Sequence, residues 1–191
     1  QLWLDLQNKY NCMAPGIVQW TDLPTQFLAG EVAMIYHTTG NLTNIKNNAT
    51  FDFGVCFMPA GRQYGAPTGG GNFYITNGIS EERQQAAWKY IKFMCETERA
   101  AQWSIDTGYV ATRNSCYETE LLKDYYASFP QALVAYEQLQ YAQPELTTYS
   151  AAEMWRILND NIQAAVTGEM TAAEALEAAQ EQGDELLADY Q

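Results

Sequence analysis

A chain of 191 residues is long enough to bury a substantial core, in one large domain or in parts of two. Hydrophobic residues at 47% and aromatic residues at 13% argue against a disordered chain. Ten basic against 23 acidic residues, a net charge of −13, argue against nucleic acid and anionic membranes as partners, because both need clustered Lys and Arg.

Residues 1–10 read as a helix with Leu2, Leu6 and Trp3 facing inward. The chain thus opens inside an apolar-periodic helix and without a start methionine, which predicts the C-terminal portion of something longer. Asp22-Leu23-Pro24 starts a short helix, with Pro24 tolerated in its first turn, and Gly30 ends it. Residues 32–36 read as a strand closed by His37-Thr38-Thr39-Gly40, and 41–50 as a polar surface helix or loop. A second strand is predicted over 51–58 and stops at Pro59. The Gly-rich stretch 61–71 is a loop, and 72–76 returns to strand.

Ser80, Glu81 and Glu82 start a helix in which Ala86, Ala87, Tyr90, Ile91 and Met94 share a face. Thr97 caps the next helix, Gly108 ends it, and 109–112 is extended. Helical pattern over 121–140 breaks at Pro130. Ser150 and Glu153 have the spacing of a capping box, and so do Thr171 and Glu174, with Gly168 as the stop between two helices. Met154, Ile157, Leu158, Ile162 and Ala165 form a buried stripe; Trp155 falls at its edge, half exposed, and Arg156 projects roughly opposite it. Strands alternating with helices, followed by a helical tail, predict an α/β architecture with a helix-covered sheet. No apolar run approaches the ~20 residues of a bilayer span.

Chemistry is sparse. Cys12, Cys56, Cys95 and Cys116 lack C-x-x-C spacing and His37 is the single histidine, so a zinc site is not expected. The spacings select no disulfide pairing, and buried free thiols are the favoured state. There is no G-x-S-x-G elbow, and Gly69-Gly70-Gly71 precedes a strand rather than a helix, with no Lys-Ser/Thr after it. Acidic residues such as Glu177, Glu181, Asp184 and Glu185 lie on helix surfaces and read as solvated.

Phe27-Leu28-Ala29-Gly30-Glu31-Val32-Ala33-Met34 resembles the F-x-x-G-x-x-A-M signature of the extracellular solute-binding proteins of ABC transporters, maltose and glycerol-3-phosphate type. In order, Phe53-Gly54-Val55 through Met58-Pro59 resembles the crossing strand of that family, and Gly70-Gly71 its G-G segment. Ala86-Ala87-Trp88-Lys89-Tyr90-Ile91-Lys92-Phe93 is similar to its A-x-x-F-I-x-F-L helix, and Thr107-Gly108-Tyr109-Val110 to the turn after it. The run from Gly168 to Leu176 resembles the terminal G-x-x-T-x-x-E-A-L.

The resemblance implies a type II periplasmic-binding-protein-like bilobal fold, of which this is the C-terminal portion, the N-terminal part of the first lobe being absent. It divides the chain into 1–59, part of the C-terminal lobe; 60–112, resembling part of the N-terminal lobe with crossing strands; and 113–191, the helical remainder of the C-terminal lobe. It implies a non-catalytic, extracytoplasmic component of an ABC importer, periplasmic or a surface lipoprotein. Such a protein is a monomer without metal or cofactor, and hands a carbohydrate to permease subunits. Carried over, Trp155 falls on an aromatic platform position and Tyr109 on a ligand-contacting tyrosine. Thr39 and Gly71 match cleft-lining positions, Asn72 and His37 neighbour them, and Arg156 stands one step from a phosphate-binding arginine. Aromatic faces stack on sugar C–H groups, and Thr, Asn and backbone groups pair with hydroxyls. A phosphorylated polyol such as glycerol-3-phosphate is the alternative ligand, for which Arg156, Arg113 or Arg62 would have to serve. A carbohydrate hydrolase is the alternative of another class and would need two facing carboxylates.

Overall fold

A computed structural model of the chain describes residues 1–190. They form two compact units: Leu23–Pro144 is one, and Gln1–Asp22 with the chain from Glu145 onward is the other. These boundaries lie elsewhere than the 59/60 and 112/113 divisions drawn from the resemblance.

The discontinuous unit is helical. It contains α1 (Leu2–Asn8), α8 (Ala151–Thr167) and α9 (Ala172–Leu187). Gly168 ends α8 in the left-handed conformation at φ 85°, where it donates to the carbonyls of Ala164 and Ala165. The expected capping box of α9 is present: Glu174 N donates to Thr171 Oγ1 at 3.2 Å, and Thr171 N donates to Glu174 Oε2 at 2.8 Å. That of α8 is absent. Ser150 sits at φ 50° and its hydroxyl makes no cap bond, because the left-handed backbone turns it away from the first turn. Glu153 pairs instead with Arg156.

On α8, Ile157 and Ala165 are buried, and Met154, Leu158 and Ile162 half-buried, as the stripe requires. The sequence pattern misses Asn161 in the middle of it. Its buried amide donates to Ile157 O at 2.9 Å and to Gln182 Oε1 of α9 at 3.4 Å, which satisfies it without water. Met154, at the start of α8, packs against Gly183 near the end of α9, so the two helices run antiparallel.

The continuous unit holds α2 (Leu23–Leu28), α3 (Leu42–Asn48), α4 (Glu81–Met94), α5 (Thr97–Thr107), α6 (Glu120–Ser128) and α7 (Leu133–Gln138). Its core is Ala101, Ala111, Cys116, Leu122, Tyr125, Phe129 and Ala132, flanked by Leu42, Phe53, Ile105, Tyr117 and Tyr126. Ser80 Oγ accepts from Arg83 N and starts α4 as expected. On its predicted face, Ala87, Ile91 and Met94 are half-buried, whereas Ala86 and Tyr90 are exposed. Thr97 is not the cap of α5. Glu96 occupies that position, and the Thr97 hydroxyl pairs with Ser115 Oγ at 2.9 Å. Pro130 breaks the 121–140 helix into α6, a 3-10 turn and α7.

The expected helix-covered sheet is not found. Among the described residues the sheet is one parallel pair, β1 (Ala66–Thr68) with β2 (Ala142–Pro144), in register Ala66↔Ala142. Pro67 and Pro144 have no N–H to give a ladder, which keeps it short. Residues 32–36, 51–58 and 72–76 are not strands. A strand exists only with a partner, and 51–58 is held by side chains instead. Phe53 meets Phe129 edge-on at 6.1 Å, Phe57 meets Tyr64 and Tyr141, and Met58 N donates to Gln138 Oε1 at 3.1 Å. The thiols also differ from expectation: all four are free, but Cys12, Cys56 and Cys95 are exposed and Cys116 alone is buried.

Candidate ligand-binding site

Within the continuous unit, two turns far apart in sequence lock together through two glycines. Gly108 ends α5 at φ +94°, and a Cβ there would lie 2.6 Å from both Thr39 O and Leu42 Cβ. Gly40 lies under the next side chain. A Cβ on it would stand 2.6 and 2.8 Å from Cε2 and Cε1 of the Tyr109 ring, and closer still to Cζ. Only hydrogen fits at either position. Thr43 Oγ1 donates to Ile105 O at 2.7 Å and fastens α3 to α5 beside them.

The backbone carrying Tyr109 is held on both sides. Tyr109 N donates to Thr107 Oγ1 at 3.1 Å, and its carbonyl accepts from the buried Ser104 hydroxyl. Two residues on, Ala111 O accepts from Tyr117 Oη at 2.9 Å. Tyr117 packs on Tyr136 at 4.3 Å between ring centroids and on Tyr126 at 6.2 Å. Burial first, and then the neighbouring phenols, push the Tyr117 hydroxyl well above the usual tyrosine range, so it stays a donor. The result is a tyrosine with a fixed backbone that remains 41% exposed as a residue.

Thr39 lies in the turn that packs against Gly108, so the structure brings Thr39 and Tyr109 together. His37 is on the same turn; its Nδ1 lies 3.2 Å from the Asn41 amide nitrogen. Gly71 and Asn72 are exposed, and nothing approaches within 4 Å of where a Gly71 Cβ would be. Trp155 and Arg156 belong to the other unit. Trp155 is 39% exposed at the edge of the α8 stripe.

Arg156 is paired with two carboxylates on its own helix. Its Nε and Nη2 donate to the two Glu153 oxygens at 3.1 and 2.6 Å, and Nη1 to Asp160 Oδ2 at 2.7 Å. Bonding to Arg156 holds the Glu153 carboxyl below its usual range, and the cluster of one guanidinium with two carboxylates carries a net negative charge. Of the other arginines, Arg113 donates to Cys95 O, and Arg62 is exposed.

Gly40, Ser104 and Tyr117 were not readable as site residues. Their partners lie 5 to 69 positions away, and only the Gly108 stop signal hinted at a close approach. Among the described residues no group of three His, Cys, Asp or Glu could hold a metal, and no helix is long and apolar enough to cross a membrane.

The sequence is similar to the sn-glycerol-3-phosphate-binding periplasmic protein UgpB of Salmonella paratyphi A, 29% identical over 172 residues, 85% of this chain and 39% of that protein. The UgpB of Pectobacterium atrosepticum is 28% identical over 177 residues, 87% and 40% of the two chains. The fold matches the crystal structure of UgpB from Mycobacterium tuberculosis in complex with glycerophosphocholine. The TM-score is 0.85 at 25% identity, over 98% of this chain and 47% of that one. The chain therefore spans about two fifths of the length of these curated relatives, and its fold is a portion of the bilobal periplasmic-binding-protein type. The profile of the bacterial extracellular solute-binding proteins matches residues 1–131, and the chain belongs to that family.

Proposed function

We propose that the protein is the non-catalytic solute-binding component of an ABC importer, working outside the cytoplasm as a periplasmic protein or surface lipoprotein. It binds a mono- or oligosaccharide between two lobes and delivers it to permease subunits. Tyr109, Thr39 and His37 from one turn pair, Gly71 and Asn72 from the Gly-rich segment, and Trp155 from α8 are its ligand contacts. Residues 60–112 contribute to the N-terminal lobe and the flanking segments to the C-terminal lobe. The observation that carries the reading is Tyr109, a 41% exposed residue whose ring is backed by the 39–40 turn beside Thr39. An aromatic face beside a hydroxyl suits a sugar, which offers a C–H face and hydroxyls at once. Closure follows if the closed form makes contacts that the open form lacks.

A phosphorylated polyol is the second reading, favoured by relatives named for glycerol-3-phosphate. Arg156 supports it poorly, because the two carboxylates already paired with the guanidinium offset its charge and repel a phosphate. Those same carboxylates are not a facing pair across a substrate, which weighs against a hydrolase.

The test is calorimetry of the complete protein against oligosaccharides and glycerol phosphates, with the recovered ligand analysed for chemical change. The expected result is saturable heat with a sugar, returned intact. Heat with a glycerol phosphate alone would establish the second reading, and a cleaved sugar would establish an enzyme.

A further inference from the structure

We infer that Gly40 is a positioning residue for Tyr109. By lacking a side chain it lets the ring lie on the 39–40 turn, one face covered and the other presented as a stacking surface. The inference rests on the proposed reading of Tyr109 as a ligand contact.

Three observations carry it. First, a Cβ at position 40 would stand within 2.8 Å of Cε1 and 2.6 Å of Cε2, distances that real Cβ atoms do not show, so a methyl group there must move the ring. Second, the ring cannot escape by moving its backbone. Tyr109 N and O are both hydrogen-bonded, Gly108 wedges against Thr39 O, and Tyr117 holds Ala111. The two side-chain torsions of Tyr109 are what remains, and turning them lifts the ring off the turn. Third, Gly40 is not among the glycines at positive φ, so alanine there brings no backbone strain and its effect is the collision itself. Holding an aromatic ring in its binding pose beforehand removes an ordering cost from association.

The seating is read without any ligand. In the complete protein, a Gly40 Hα lying against the Tyr109 ring resonates upfield, and the shift disappears in Tyr109→Ala. In thermal unfolding, Gly40→Ala lowers the midpoint of the wild type but not of the Tyr109→Ala background, where the obstacle is gone. Should Gly40→Ala alone fail to fold, the double variant still folds if the collision is the cause. An unshifted Hα, or equal costs of Gly40→Ala in the two backgrounds, would overturn the inference. Binding is then measured with maltose and with sn-glycerol-3-phosphate as probes. For whichever probe the wild type binds, Gly40→Ala weakens it about tenfold, as Tyr109→Ala does, and the double variant is no weaker than Tyr109→Ala. Wild-type affinity in Gly40→Ala, or additive losses, would refute the positioning role. If the wild type binds neither probe, the ligand class is wrong, while the shift and the stability cycle still decide the seating.

Discussion

Gly183 stands inside α9 with Met154 Cε and Sδ 3.2 and 3.3 Å from where its Cβ would be. An alanine there gains helix propensity, about 0.5–1 kcal/mol over glycine in a helix interior. It asks only the flexible end of a methionine to yield by a few tenths of an ångström. A groove lined by Met154, Leu158 and Leu187 gives it somewhere to go. Gly183→Ala is therefore expected to raise the unfolding midpoint, and a lowered one would show that Met154 is clamped. Trp155 poses the converse case: with a half-exposed indole, Trp155→Ala should cost ~1–3 kcal/mol of sugar affinity in calorimetry. Unchanged affinity would return it to closing the edge of the stripe. The half exposure of Trp155 was legible because helical spacing sets it. Asn161 and Gly40 were not, since a partner of each (the Gln182 side-chain Oε1, the Tyr109 ring) lies 21 and 69 residues further on.

At the scale of elements, two identical capping signatures had different outcomes. Thr171→Ala removes a formed box and should cost about 1 kcal/mol. Ser150→Ala should cost nearly nothing through capping, and Ser150→Gly should stabilise by ~0.5–1 kcal/mol by relieving a left-handed backbone. Paired urea titrations of the three variants check the contrast. The Glu174 carboxyl is held below its usual range, first by the Thr171 backbone N–H and then by the Thr171 side chain. A carboxyl with a depressed folded pKa stabilises above its unfolded value, and that contribution vanishes as pH falls through the folded one. The midpoint gap between wild type and Glu174→Ala should thus be widest at neutral pH and narrow as pH falls through and below the ordinary glutamate range. A gap independent of pH would mean that the cap bond owes nothing to the charge. Helix starts and stops such as Ser80, Gly108 and Gly168 were readable because their signals are local. The three strands expected at 32–36, 51–58 and 72–76 were not, because apolar alternation says that a segment can pair and not whether a partner lies beside it.

For the whole molecule, the order of several weak motifs along the chain identified the family where composition and periodicity reached only an α/β class, and the profile match over residues 1–131 agrees. The strand–helix alternation misjudged the sheet, since the described residues hold one short parallel pair among mostly helical segments. Ligand identity was less legible than fold, because the proposed contacts lie on separate stretches of chain and no local pattern records whether such stretches meet. The most direct measurement is a crystal structure of the complete protein with the tightest-binding sugar from the calorimetric panel. The account predicts the sugar's C–H face over the free face of Tyr109, ring centres about 4.5–7 Å apart, with a ligand hydroxyl on Thr39. A sugar bound elsewhere, with the Tyr109 ring turned off Gly40 or facing only solvent, would contradict it.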